Sequence, residues 1–269
     1  MRELLARIAS LFLKLKIRII HVETWDSLVA ESDILRKSNC IYAASRLLQR
    51  EPEEYLQLID RSQSQLTQDV VALMISNRKH RGYFVEFGAS NGKDLSNTYL
   101  LEKDFRWHGL LCEPNPEFTE NLMHTREAVI ITKAVYSKSD FKMEFSLSGE
   151  LSSLTDFSTG DKFSHIRNRS PKITVSTISL LDALLEAKAP SFIDYLSVDT
   201  EGSEYEVLAA FDWSLYRFGF ITVEHNFTPN EEKLESLLLK AGYSRVLAAH
   251  SHFDAWFVPR ELISRSDIF

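Results

Sequence analysis

The 269-residue chain is 44% hydrophobic and 26% charged with a formal net charge of -7, an ordinary composition for a globular protein with a buried core. The acidic balance and the absence of a Lys/Arg stripe argue against nucleic acid as a partner, because phosphate binding needs clustered cations. Cys40 and Cys112 fall on segments that read as a helix and a buried strand, so reduced core thiols are expected rather than a disulfide framework.

The leading segment, MRELLARIASLFLKLKIRII, has its apolar runs broken by Arg7, Lys14, Lys16 and Arg18. It cannot span a bilayer, and no small-residue cleavage site follows it. The pattern fits a helix packed on its own domain or in a homodimer. The alternative is a basic amphipathic helix resting on an anionic membrane, which would bring a cytoplasmic protein to the inner membrane face. Up to residue 80 the pattern is helical and free of Gly, with Leu66, Val70, Val71 and Met74 on one face of a helix over 65–77. Residues 1–80 therefore read as an N-terminal helical extension and 81–269 as the main domain.

Beyond residue 80, short apolar strands alternate with amphipathic helices, the pattern of a parallel sheet covered on both faces. Strands are expected at Tyr83–Phe87, Gly109–Cys112, Val129–Lys133, Tyr195–Val198 and Phe218–Val223, with a terminal antiparallel pair over 243–249 and 253–258. A further pair is expected at Lys142–Ser146 and Ile173–Thr177. Asn115-Pro116 opens a helix, Ser179 with Asp182 and Ser203 with Glu206 offer capping boxes, and Thr228-Pro229 offers another start. Residues 147–170 are rich in Ser, Thr and Gly and read as a lid. Its Lys162, Arg167 and Arg169, with Lys172, read as a solvated charged loop before a site for an acidic acceptor.

The first strand runs into Gly88-Ala89-Ser90-Asn91-Gly92, a turn that lets backbone approach a nucleotide-like ligand. The three-glycine dinucleotide pattern is missing, which disfavours a nicotinamide oxidoreductase. Glu86, two positions before the turn, suits a cofactor without a pyrophosphate, such as S-adenosylmethionine with its ammonium and sulfonium. Glu113, at the end of the second strand and followed by Pro114, stands where such folds bind ribose hydroxyls.

The runs FVEFGASNGKDLSNTYLLEKDFRWHGLLCEPNP, DYLSVDTEGSEYEVL and ITVEHNF closely resemble the FkbM family of methyltransferases over about residues 65–258. The resemblance implies a class I, Rossmann-like α/β fold, a mostly parallel seven-stranded sheet with an antiparallel terminal strand. It also implies S-adenosylmethionine as cofactor and O-methylation of a hydroxyl of a sugar in a glycan or glycosylated natural product. Carried over by position, Glu86, Gly88, Ala89, Ser90, Asn91 and Gly92 would form the cofactor turn and Glu113 and Pro114 the ribose site. Asn97 would shape the methionine end, and Ala134 and Val135 would lie near the adenine.

A sugar hydroxyl is a poor nucleophile, so the reaction needs a general base, a metal or both. Two strand ends supply candidates. His225 is the expected base by intrinsic pKa, and Asp199 is expected nearest the reacting hydroxyl. Asp199, Glu201, Glu224 and Asn226 offer oxygen ligands for Mg²⁺ or another hard divalent cation. The bland alternative is that Asp199 and Glu201 stabilise the next helix start while His225 is a core residue. The competing function on the same fold is an inactive binding module used in trafficking or assembly, but such a scaffold has no need of a ribose carboxylate.

Overall fold

The computed structural model describes residues 22–157 and 164–263; the basic segment over residues 1–20 and Lys162 lie outside them. The chain falls into two compact units that divide between Lys37 and Ser38. The leading part of helix α1 (Val22–Leu48) belongs to the first, where Asp33 pairs with Arg36 and Lys37 one turn on. Among the described residues no helix is long and apolar enough to cross a membrane.

The second unit takes in Cys40, Ile41 and Ala44 of α1, all buried, then α2 (Glu53–Leu56) and α3 (Gln68–Ile75). The change of pattern near residue 80 is thus a change of local structure inside this unit. Next come β1 (Tyr83–Phe87), α4 (Tyr99–Phe105), β2 (His108–Cys112), α5 (Pro116–Thr125) and β3 (Val129–Ile131). A smaller sheet follows, made of β4 (Ala134–Tyr136), β5 (Lys142–Ser146), β6 (Ser153–Leu154) and β7 (Lys172–Ser179), with α6 (Ser164–Arg167) between the last two. The main sheet resumes with α7 (Leu180–Glu186), β8 (Phe192–Val198), α8 (Glu204–Ala209), β9 (Arg217–Glu224), α9 (Asn230–Lys240), β10 (Tyr243–Val246) and β11 (Asp254–Pro259).

The seven main strands lie in the order β10-β11-β9-β8-β1-β2-β3, parallel except for β11, which is antiparallel to both β9 and β10. This is the Rossmann-like α/β architecture expected from the sequence. Both faces are covered, so side-chain alternation decides which core each strand residue joins. Phe84, Tyr195, Phe220 and Trp256 pack with α3 and α4. Their neighbours Val85, Leu196, Ile221 and Phe257 pack on the opposite face with α7, α8 and α9. Cys40 and Cys112 are buried, and neither is in a disulfide.

The expected strand pair of the smaller sheet is present, with Phe145 opposite Ile173. The segment read as a lid carries more structure than its composition suggests: β6, a 3₁₀ turn at Thr155–Phe157, and α6. Two helix starts are as read. Asn115 accepts from the Glu117 amide at 3.0 Å, and Ser179 accepts from the Asp182 amide at 3.1 Å. Two are not. The Thr228 hydroxyl donates to the His225 carbonyl at 2.8 Å, which leaves Pro229 at the cap position. Ser203 makes no capping bond, because its hydroxyl donates to Thr200 Oγ1 at 2.9 Å.

Candidate functional site

From β1 the chain moves outward through β2 and β3, then returns to place β8 against the other side of β1. The carboxyl ends of β1 and β8 are therefore the topological switch point, where open α/β sheets bind ligands. A cavity of about 300 Å³ lies there. Its charged lining residues are all acidic, with Glu86, Glu113, Asp199, Glu201, Glu224 and Asp254 among them.

One wall is the glycine turn. Gly88 has φ +80°, and a Cβ on it would stand 2.0 Å from the Asp199 carbonyl oxygen, so only glycine allows β1 and β8 to close here. The Ser90 amide donates to Glu113 Oε2 and the Asn115 amide to Oε1, both at 2.8 Å. Burial pushes the Glu113 carboxyl up to about 7 against the opposing pull of those two donors. Gly88, Ala89, Ser90, Glu113 and Pro114 all line the cavity. Asn91 and Gly92 are not among the lining residues. Asn91 braces the turn instead, accepting from the Lys93 and Asp94 amides at 2.9 Å, and a Cβ on Gly92 would meet Leu122 at 2.6 Å.

A second wall is apolar: Cys112, Ala134, Val135, Phe145 and Leu154. Ala134 and Val135 come from β4 and are buried, while Phe145 and Leu154 face each other across β5 and β6. The smaller sheet thus supplies an apolar wall of the cavity.

The third wall carries the strand-end acids. Asp199, Glu201 and Glu224 bring one oxygen each within 4.8 Å of one another. Burial first, then repulsion from neighbouring acids, raises Asp199 and Glu224 well above the usual carboxylate range. Glu201 pairs with Arg167, a fully buried residue of α6 that also donates from Nε to the Leu151 carbonyl at 2.8 Å. Arg167 is therefore no solvated lid residue; it ties the 147–157 segment to the end of β8. Helix-start stabilisation falls to Glu204, whose Oε1 accepts from the Thr200 and Gly202 amides at 2.8 and 2.9 Å. Asn226 also lines the cavity.

His225 is not brought to this wall. Glu224 and Asn226 line the cavity, and His225 between them does not. Its ring is buried edge-on against Phe227, Nδ1 accepts from the Phe227 amide at 3.1 Å, and burial lowers its pKa. The histidine nominated as base from its intrinsic pKa is thus not among the residues that line the cavity, and Asp199 alone of the nominated pair is.

Residues that sequence reasoning passed over complete the site. Gln68 of α3 lines the cavity and donates to Asp254 Oδ2 at 2.9 Å, and burial raises Asp254 to about 6. Glu86 lines the cavity, yet its carboxylate is occupied: Oε1 accepts from the Asn97 amide at 2.6 Å, and Oε2 from Ser96 Oγ at 3.0 Å and Thr98 Oγ1 at 2.6 Å. Asn97 itself donates from Nδ2 to Ser197 Oγ at 3.0 Å, which leaves its buried Oδ1 without a partner. An acid-lined cavity with an unfilled acceptor atom, a buried carboxylate and an apolar wall fits S-adenosylmethionine, whose α-ammonium and sulfonium are cationic. It does not fit a pyrophosphate.

No curated protein matches the sequence significantly. Among solved structures, the precorrin-6y C5,15-methyltransferase from Geobacter metallireducens superposes with a TM-score of 0.40 at 10% identity, covering 71% of this chain and 85% of that one. The CurJ carbon methyltransferase gives 0.38 at 9% identity over 90% and 71%, and the fibrillarin/Nop5p complex 0.34 at 12% over 73% and 81%. The FkbM methyltransferase domain model matches residues 86–258, from the glutamate that precedes the glycine turn to the last strand of the sheet, and the chain belongs to that family of S-adenosylmethionine-dependent methyltransferases.

Proposed function

We propose that this methyltransferase acts on oxygen, at a hydroxyl of a sugar in a glycan or glycosylated natural product. The observation that carries the reading is the pairing of Asp199 with Glu224 beside the donor cavity, where burial raises both carboxyls. A buried carboxylate is a stronger base than an exposed one, and a hydroxyl needs a base where an amine does not. S-adenosylmethionine, when bound, supplies the methyl group on a good leaving group. Asp199 accepts the hydroxyl proton as the oxygen–carbon bond forms and the carbon–sulfur bond breaks. Gln65, Gln68, Asn226 and Asp254 border the same cavity and offer acceptors for the other hydroxyls of a sugar ring.

In the same reading, Glu113 takes the ribose hydroxyls, Ala134 and Val135 the adenine, and Asn97 the methionine end. Asp199, Glu201 and Glu224, with Asn226, have the oxygen chemistry to hold Mg²⁺. A cation there would compete with Arg167 for Glu201.

Calorimetric titration with S-adenosylhomocysteine, with and without Mg²⁺, tests the donor site, and transfer of labelled methyl to a glycan panel tests the acceptor. Label that enters amines or carbon and no hydroxyl would overturn O-methylation. Folded, ligand-free protein that binds no S-adenosylhomocysteine would favour a binding module.

A further inference from the structure

Arg126 follows α5 and is wholly buried, and every arm of its guanidinium is in use. Nε donates to Glu102 at 3.0 Å, Nη1 to the Gly92 carbonyl at 3.0 Å and Ser96 Oγ at 3.2 Å, and Nη2 to Thr98 Oγ1 at 2.7 Å. Glu86 Oε2 lies 3.6 Å from Nη1, and the guanidinium stands over the rings of Phe84 and Tyr99. The cation thus joins three pieces of chain: the end of the glycine turn, the Ser96–Thr98 segment, and the end of β1. The acid that opens the glycine turn is drawn into this network and holds the Asn97 amide.

We infer that Arg126 is a positioning residue for donor binding: through Glu86 and the Ser96–Thr98 segment it fixes Asn97 so that Oδ1 receives the α-ammonium of the donor's amino-acid end. The inference rests on the donor-site reading above. Glu86 already accepts from three protein donors, while Asn97 Oδ1 is buried at the cavity wall with none. A buried acceptor without a partner is costly, and a ligand that brings a charged N–H relieves that cost. The Nδ2 bond to Ser197 sets which end of the amide faces the cavity. Rigid backing matters because a loop that must be ordered on binding weakens affinity.

The test compares two probes by calorimetry: S-adenosylhomocysteine, and 5′-methylthioadenosine, which keeps the adenosine and sulfur but lacks the amino-acid end. Asn97→Ala is expected to weaken S-adenosylhomocysteine by about tenfold or more, the worth of a bond to a charged group, and to leave 5′-methylthioadenosine within about twofold. Arg126→Lys keeps the charge beside Glu86 and Glu102 but loses the planar fork, and it should show the same selective loss. In the double variant the losses should not add, since one residue acts through the other. Thr98→Val trims one arm of the network without removing a charge and should give a smaller loss of the same kind. Equal weakening of both probes by Arg126→Lys and Thr98→Val would show general support of the fold and overturn the inference. So would unchanged S-adenosylhomocysteine binding in Asn97→Ala. If folded wild-type protein binds neither probe, the donor-site reading itself fails.

Discussion

The Ser90 amide reaches Glu113 Oε2 at 2.8 Å, so the glycine turn after β1 and the carboxylate after β2 form a single braced unit. Glu113→Ala removes both the proposed ribose acceptor and that brace. Affinity for S-adenosylhomocysteine should fall by about tenfold or more by calorimetry. Glu113→Gln, which keeps the shape, should lose less stability but still bind weakly. Undiminished binding in both would remove Glu113 from the donor site.

Asp199 and His225 separate cleanly by experiment. Asp199→Asn should keep S-adenosylhomocysteine binding and lose turnover by about a hundredfold or more on the true acceptor, the scale of a lost general base. His225→Gln should keep most turnover and instead lower the melting temperature, because the ring packs against Phe227 under α9. A pH–rate profile of the His225 variant identical to wild type would agree with that assignment. Collapse of turnover in a well-folded His225→Gln would reverse it.

Acid and base act oppositely on stability and on binding. Glu113 titrates at about 7 and Asp254 at about 6 in the folded protein, against ordinary values of 4.5 and 3.8. Both are raised, so the stability they contribute is complete below the ordinary values and is lost as pH rises through about 6 and about 7. The melting temperature of ligand-free protein should therefore decline between about pH 4 and pH 7, and Asp254→Asn should flatten the lower part of that decline. Affinity for S-adenosylhomocysteine should rise through about pH 7 as Glu113 ionises, if the proposed ribose contact is made there. Parallel curves, or a flat binding curve, would contradict the assignment.

Arg167→Ala leaves Glu201 half-buried without its guanidinium and releases the Leu151 carbonyl. The melting temperature should drop by several degrees, as expected when one partner of a buried pair is removed. Limited proteolysis should cut the 147–170 region sooner than in wild type. Mg²⁺ affinity, read by calorimetry, should increase if the strand-end acids accept a cation.

The sheet and the glycine turn were legible in the sequence because their signals are local: alternating apolar runs, a glycine pair, an acid at a strand end. Gln68 and Asp254 were not, since they meet across 186 positions and neither sits in a motif. Arg126 reads in sequence as a charged residue at a helix end, ordinarily solvated, and only the fold shows Glu86 and Glu102 closing on it. His225 was chosen for its pKa; β9 ends at Glu224 and the chain then turns through positive φ at Asn226 and Phe227, so no alternation in the sequence tells which way the ring faces.

The wall formed by Gln68 lies outside the stretch that defines the family. A fragment cut at residue 86 would lose α3 and most of β1, strip Asp254 of its amide donor, and open one side of the cavity to water. A piece moved between family members would therefore have to begin before α3, and a chimera joined at residue 86 would exchange only part of the cavity wall.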